Sequence, residues 1–172
     1  MTGDEMDAFE KIYNEYFSRV YAFLFKLCND THLAEEMTQE SFYQAYKSFH
    51  RYTGSCDIFT WLAAVAKHTY YKHLRKNKHR HLSLDAQETE ICVHSDHQPE
   101  HQYIEKEQRE RLRESINRLP DKYRDVVILR IYADLPFSQI ACVLKINENS
   151  AKVIFYRAKN MIMEDVDNEN SM

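Results

Sequence analysis

Residues 138–162 read SQIACVLKINENSAKVIFYRAKNMI. A short apolar-periodic segment runs to Leu144 and a polar turn, INEN, follows. A longer segment then carries Ala151 and Phe155 inward. That is the pattern of a helix-turn-helix, in which the second helix enters a DNA major groove and side chains near its start reach base edges. The candidates there are Asn147, Glu148, Asn149, Ser150 and Lys152, with Arg157 and Lys159 placed for phosphates, which position a helix without reading sequence. Taken alone, the stretch fits an ordinary helical hairpin of a bundle equally well. Ile140, Ala141, Ile146, Ala151 and Phe155 make an interhelix core on either view.

Working outward, Pro136 opens the short helix. Asp121–Ala133 carries Tyr123, Val126, Val127, Leu129 and Ile131 at helical spacing, and Pro120 suits the first position of that helix. A further helix over 102–118 presents Ile104, Leu112 and Ile116, with Leu119 just beyond. The last residues, EDVDNENSM, form an acidic tail expected to fray. Upstream, residues 81–101 lose periodicity. They are polar and acidic and read as a linker, whose extended reach is roughly 60–70 Å at about 3.3 Å per residue.

The N-terminal part is helical too. Phe9, Ile12, Tyr13, Tyr16, Phe17, Val20, Tyr21, Leu24 and Leu27 form the stripe of an amphipathic helix over 4–28. Asp30 or Thr31 caps the next, 32–49, with Leu33, Met37, Phe42, Ala45 and Phe49 inward. HRYTGSCD is a loop. Asp57 caps a third helix over 58–78, which buries Phe59, Trp61, Leu62, Val65 and Ala66. Two glycines and three prolines in 172 residues leave little turn chemistry for hairpins, while a 44% hydrophobic content suffices for packed cores. The fold class is therefore all-α, with two small helical domains and a flexible linker: residues 1–80, linker 81–103, and 104–168 with the helix-turn-helix.

Charge is segregated. The formal net charge is −4, yet Lys67 to His81 contains no acidic residue. Lys67, Tyr70, Tyr71, Lys72, Arg75 and Lys78 spread over a broad helical surface beside Trp61 and His68. Basic groups hold a phosphate backbone and aromatics stack on unpaired bases. A helix C-terminus also attracts cations, but only over its last turn.

Glu35, Glu36, Gln39 and Glu40 cluster on the second helix. No second carboxylate helix or well-placed histidine accompanies them, so docking on a basic partner suits them better than metal binding or acid–base catalysis. Cys92, His94, His97 and His101 match no common zinc spacing and lie in the linker, so no metal is expected. Cys28, Cys56, Cys92 and Cys142 form no CxxC pair and are expected to be reduced. No nucleophile–base pattern or phosphate-cradling glycine loop appears, so no catalytic residue, no enzyme activity and no cofactor are expected. No apolar run long enough to span a membrane exists, and MTGDEMDAFEK is not a signal peptide.

In order, these parts resemble bacterial RNA polymerase sigma factors of the extracytoplasmic-function group of the sigma-70 family. LAEEMTQESFYQAY resembles their segment that binds the clamp helices of core polymerase. FHRYTGSCDIFTWLAAVAKHTYYKHLRK resembles the segment that melts and reads the minus-ten element. LPDKYRDVVILRIYADLPFSQIACVLKINENSAKVIFYRAK resembles the domain that reads the minus-thirty-five element. The resemblance covers nearly the whole chain.

It implies a promoter-specificity subunit that directs core polymerase and helps melt the minus-ten element. Glu35, Glu36, Gln39, Glu40 and Tyr43 would dock on polymerase. The loop Tyr52–Asp57, with Tyr52, Thr53 and Ser55, would capture a base flipped from the non-template strand. Trp61, Lys67, His68, Tyr71, Lys72 and Arg75 would hold the opened strand. Asn149, Ser150, Lys152, Ile154, Phe155, Arg157 and Lys159 would lie at the minus-thirty-five groove, and the linker would thread through polymerase. Family members are commonly held inactive by an anti-sigma factor, often membrane-anchored. The implied location is cytoplasmic, with no membrane insertion of the chain's own.

Three positions depart from the family pattern. Lys145 stands where glycine often follows the first helix, so Asn147 or Asn149 is expected to supply any left-handed residue. Ile154 stands where a polar or basic residue is common, and a thymine methyl is its expected contact. His68 stands where many members have Asn. A protein of a different class, an operator-binding helix-turn-helix dimer, would need neither the acidic docking helix nor the long linker. A metal-responsive protein built on the Cys92 cluster is a second rival, and a nucleic-acid enzyme is a third.

Overall fold

The computed structural model describes residues 3–83 and 100–170, and side chains over 6–77 and 107–166. Seven helices account for the architecture of the described residues: α1 (Gly3–Cys28), α2 (Thr31–Ser48), α3 (Ile58–Ser83), α4 (Glu100–Arg118), α5 (Asp121–Ile131), α6 (Phe137–Leu144) and α7 (Glu148–Asn170). A single 3-10 turn, Phe49–Arg51, follows α2.

Asn29 ends α1 in the left-handed conformation (φ 55°), and its N–H donates to Phe25 O at 2.8 Å. Asp30 then caps α2, its carboxylate accepting from Leu33 N at 2.8 Å. Two residues thus reverse the chain, and α1 packs on α2 as a helical hairpin. Inside α2, the buried hydroxyls of Thr38 and Ser41 donate to the carbonyls of Ala34 and Met37, so neither is left unsatisfied. Phe9 meets Phe42, Tyr46 and Phe49 edge-on, with centroids 5.3–6.3 Å apart. Phe23, Leu24, Phe59 and Leu62 fill the space among α1, α2 and α3.

In the C-terminal set, Pro120 is the N-cap of α5 rather than its first helical residue. Val126 to Leu129, Ile140, Ala151, Ile154 and Ala158 are buried where α5, α6 and α7 meet. Leu112 and Ile131, expected inward, are instead exposed. The tail expected to fray is helical to Asn170. Cys92, His94 and His97 lie outside the described residues, as does the side chain of His101. The left-handed residue of the helix-turn-helix is Lys145 (φ 56°, ψ 44°), not Asn147 or Asn149. Ile146 N donates to Ala141 O at 3.0 Å across it. Asn147 does another job: its side chain accepts from Ser150 N at 2.7 Å and caps α7.

The two helical sets pack on each other. Lys67 Nζ meets Asp125 Oδ2 at 2.5 Å, and the Tyr71 hydroxyl donates to Asn117 Oδ1 at 3.0 Å. The Arg124 guanidinium lies 4.4 Å above the Tyr71 ring. At the far end of α3, Gln139 Oε1 accepts from Asp57 N at 3.2 Å and from the Thr60 hydroxyl at 3.3 Å. Burial holds the Tyr70 hydroxyl in its protonated form, its pKa pushed up to about 12, and shifts Tyr71 further the same way.

Candidate functional site

Helix α3 has two faces, and they separate the basic stretch. Trp61, Ala64, Val65, His68 and Lys72 share one face. With Lys47 and Glu40 of α2 and Arg51 of the 3-10 turn they bound an open cleft of about 520 Å³. Its floor is apolar, and Lys47, Arg51 and Lys72 outnumber the single carboxylate of Glu40 at its rim, which suits an aromatic base below and a phosphate backbone above. Arg75 is exposed one turn beyond Lys72. The other face carries Lys67, Tyr70 and Tyr71, which are 5–9% exposed and turned toward α4 and α5. The broad surface expected from the sequence is therefore narrower, with Lys67, Tyr70 and Tyr71 removed from it. Lys67 and Tyr71 sit between the two helical sets in this conformation, because Asp125 and Asn117 satisfy their polar ends there.

The loop after α2 folds back on the cleft. The Tyr52 hydroxyl donates to Cys56 O at 2.7 Å, and its ring lies 5.2 Å from Trp61. Gly54 takes a left-handed φ of 71° at the tip, with open space around it. Asp57 caps α3 through Phe59 N at 2.9 Å. Thr53 and Ser55 are exposed between these anchors. Lys47 and Arg51 were missed in the sequence because they belong to a neighbouring element. The only signal is that α2 ends beside the loop.

On α2, Glu35, Glu36, Gln39 and Tyr43 are exposed, Tyr43 to 56%. Glu40 is half-buried and accepts from Gln44 at 2.7 Å. The Glu36, Gln39, Glu40 and Tyr43 side chains line a shallow groove whose opposite wall is Lys72, His73 and Lys76 of α3. A strip of carboxylates thus runs beside a strip of cations.

On α7, Asn149, Val153, Tyr156 and Arg157 form the exposed stripe. Asn147, Glu148, Ser150 and Lys122 of α5 complete an open concavity at its N-terminal end. Lys152 pairs with Glu148 at 2.7 Å in solvent, and Lys159 is exposed. Ile154 is 6% exposed and belongs to the core, so it does not present a methyl surface outward. Phe155 is half-buried, its ring 5.5 Å from Phe137. Val153, 48% exposed, occupies the outward position expected of Ile154.

The described residues thus carry an acidic strip on α2, an aromatic-floored cleft with basic groups at its rim and a helix-turn-helix. Two family models match the chain in that order: Sigma-70 region 2 over residues 12–80 and Sigma-70 region 4 over residues 109–162. The ECF RNA polymerase sigma factor SigM of Bacillus subtilis is 30% identical over 153 residues, covering 89% of this chain and 91% of that protein. SigW of the same organism is 26% identical over 171 residues, covering 95% and 91%. Among solved structures, the sigma factor RpoE in complex with the anti-sigma factor NepR from Bartonella quintana superposes with a TM-score of 0.60. It is 16% identical, with 93% of this chain and 97% of that one covered, a likeness of fold alone. CnrH in complex with the cytosolic domain of CnrY gives 0.56 at 13% identity, covering 95% and 90%.

The chain belongs to the extracytoplasmic-function group of the sigma-70 family. It is an RNA polymerase sigma factor, which serves promoter-directed initiation of transcription.

Proposed function

We propose that residues 1–80 bind core polymerase and the minus-ten element, that 81–103 connect, and that 104–168 bind the minus-thirty-five element. The cleft between α2 and α3 carries this reading. Trp61 supplies a stacking floor, and Lys47, Arg51, His68, Lys72 and Arg75 surround it with hydrogen-bond donors and charge for an opened strand. Tyr52, Thr53 and Ser55, at a loop braced by Tyr52 and Gly54, accept the flipped base. Unstacking a base costs a few kcal/mol, which stacking of about 1–3 kcal/mol per base offsets. Glu35, Glu36, Gln39, Glu40 and Tyr43 dock on polymerase. At the minus-thirty-five groove, Asn149, Ser150 and Lys152 reach base edges, Arg157 and Lys159 reach phosphates, and Val153 takes over the thymine-methyl contact from the buried Ile154. Phe155 positions α7 against Phe137. The chain supplies specificity and no chemistry of its own.

The compact arrangement is a resting state. The two promoter elements lie about 25 base pairs apart, or about 85 Å at 3.4 Å per base pair. Gln139 of the helix-turn-helix meanwhile touches Asp57 of the minus-ten loop. Both elements cannot be read at once until the domains separate, which frees Lys67 and Tyr71 for DNA. Free chain therefore binds promoter duplex weakly. Core polymerase, and in the resting cell an anti-sigma protein, select the open and closed arrangements respectively. The anti-sigma partner is supported by the two solved sigma factors of like fold, both in complex with other proteins. Among the described residues no helix is long and apolar enough to cross a membrane. A cytoplasmic location, with recruitment to the membrane through the anti-sigma partner, follows from this reading.

Reconstituted transcription tests it. The chain, bacterial core polymerase and fragmented host DNA are combined and RNA 5′ ends mapped. Discrete starts sharing two upstream elements are expected. Polymerase binding with random starts would overturn the DNA-reading assignments, and absence of polymerase binding would overturn the docking strip.

A further inference from the structure

Two thiols from distant parts of the chain meet where the domains touch. Cys142, on α6, donates to the Ser55 carbonyl at 3.0 Å. The next residue in the chain, Cys56, carries a second thiol beside that contact. Both are half-buried and unbridged. Neighbouring bonds hold the pair in place: Tyr52 donates to Cys56 O, and Gln139, one turn before Cys142, accepts from Asp57 N. Cys28, by contrast, donates to Asp30 O in the turn between α1 and α2.

We propose that Cys56 and Cys142 form a reversible disulfide that locks the domains closed, making this sigma factor sensitive to hydroperoxides. A hydroperoxide ROOH oxidises one thiolate to a sulfenic acid, its O–O bond breaking and ROH leaving with a proton from solvent. The second thiol then attacks that sulfur, forming the S–S bond and expelling water. Two thiols and one ROOH give one disulfide, ROH and H₂O. Burial, with the neighbouring Cys142, raises the Cys56 thiol above its ordinary range, which slows its oxidation at low hydroperoxide levels. A disulfide holds its two Cα atoms about 4.4–6.8 Å apart. An α6 tethered that closely to the minus-ten loop cannot reach an element about 85 Å away. The inference rests on the loop reading proposed for Tyr52–Asp57. A cytosolic disulfide of this kind is transient and regulatory rather than structural.

The test uses the full chain, hydrogen peroxide as oxidant and alkylation before tryptic digestion without reductant. The expected product joins peptide 52–67, which holds Cys56, to peptide 131–145, which holds Cys142. With core polymerase and a promoter found by start-site mapping, oxidised protein is expected to fall to background transcription and recover with dithiothreitol. Cys142→Ser is expected to keep its activity through the same oxidation, and Cys28→Ser to lose it like the parent chain. Absence of the joined peptides, or a joined protein that transcribes like the reduced one, would overturn the switch. Failure of the loop reading looks different: Tyr52→Ala in the reduced protein would then leave start selection unchanged.

Discussion

At Lys145 a long side chain occupies a left-handed backbone position. That conformation costs an L-residue about 1–2 kcal/mol, and no glycine is there to avoid it. The rule that favours glycine or asparagine pointed to Asn147 and Asn149, but where the helix ends is fixed by packing of Ile140 and Ala141, not by the residue that follows. Lys145→Gly is therefore expected to add about 1 kcal/mol of stability, seen as a higher thermal midpoint in calorimetry; a lower midpoint would contradict the assignment. Ile154 and Val153 make a second pair of residue-scale predictions. Ile154→Ala is expected to cost about 2–5 kcal/mol, as a core truncation does. Val153→Ala is expected to leave stability within about 0.5 kcal/mol and to weaken use of the minus-thirty-five element in transcription. Equal stability losses for both would show that neither is placed as described. The sequence alone could not separate them, because adjacent apolar residues near a helix start leave its register open by one position.

Helix α3 shows what periodicity reveals and what it hides. The buried run of Phe59, Leu62 and Ala66 was legible, and so was the cap at Asp57, but Trp61 and Val65, expected in that buried part, line the open cleft instead. The basic stretch was not legible as two-sided, because the partners of Lys67 and Tyr71 come from α4 and α5, far along the chain. Residue type suggested solvent, but tertiary pairing decided burial. Element-scale tests follow from the two strips. Glu35→Lys with Glu36→Lys is expected to lower affinity for core polymerase while the helical content stays unchanged. Both side chains are exposed, so the fold is expected to hold, and unchanged affinity would contradict the docking role. Trp61→Ala is expected to leave polymerase binding intact and to reduce strand opening, read by permanganate reactivity of unpaired thymines. Unaltered opening would remove the stacking floor from the account.

For the whole molecule, the order of parts was legible: three helices, an acidic connector and a helix-turn-helix set. Their mutual packing was not, since it depends on a few long-range polar contacts that no local pattern announces. The Lys67–Asp125 pair is the most enclosed of these, with side chains 11% and 28% exposed. Asp125→Asn strands the Lys67 cation, a defect of about 3–5 kcal/mol if it stays buried. Opening hydrates the cation instead, so the variant is expected to show a larger radius in small-angle scattering; an unchanged radius would mean that other contacts hold the interface. Alkali acts on the buried tyrosines. Tyr70 is neutral in the folded chain up to about pH 12 and ionises near 10 when unfolded. Its contribution is thus complete below pH 10 and is lost between 10 and 12, at about 1.4 kcal/mol per unit. Among the twelve tyrosines, a last fraction of the tyrosinate absorbance is expected to appear only together with unfolding in that window. Complete tyrosine ionisation while the fold persists would contradict the burial of Tyr70.

The most direct test of the closed-to-open account is the distance between the domains. Fluorophores placed through unnatural residues at His50 and Ser138, both exposed, report the separation of the end of α2 from α6. The account predicts high energy transfer in the free chain and its near-complete loss once core polymerase and promoter DNA are bound. High transfer persisting in an actively transcribing complex would contradict it.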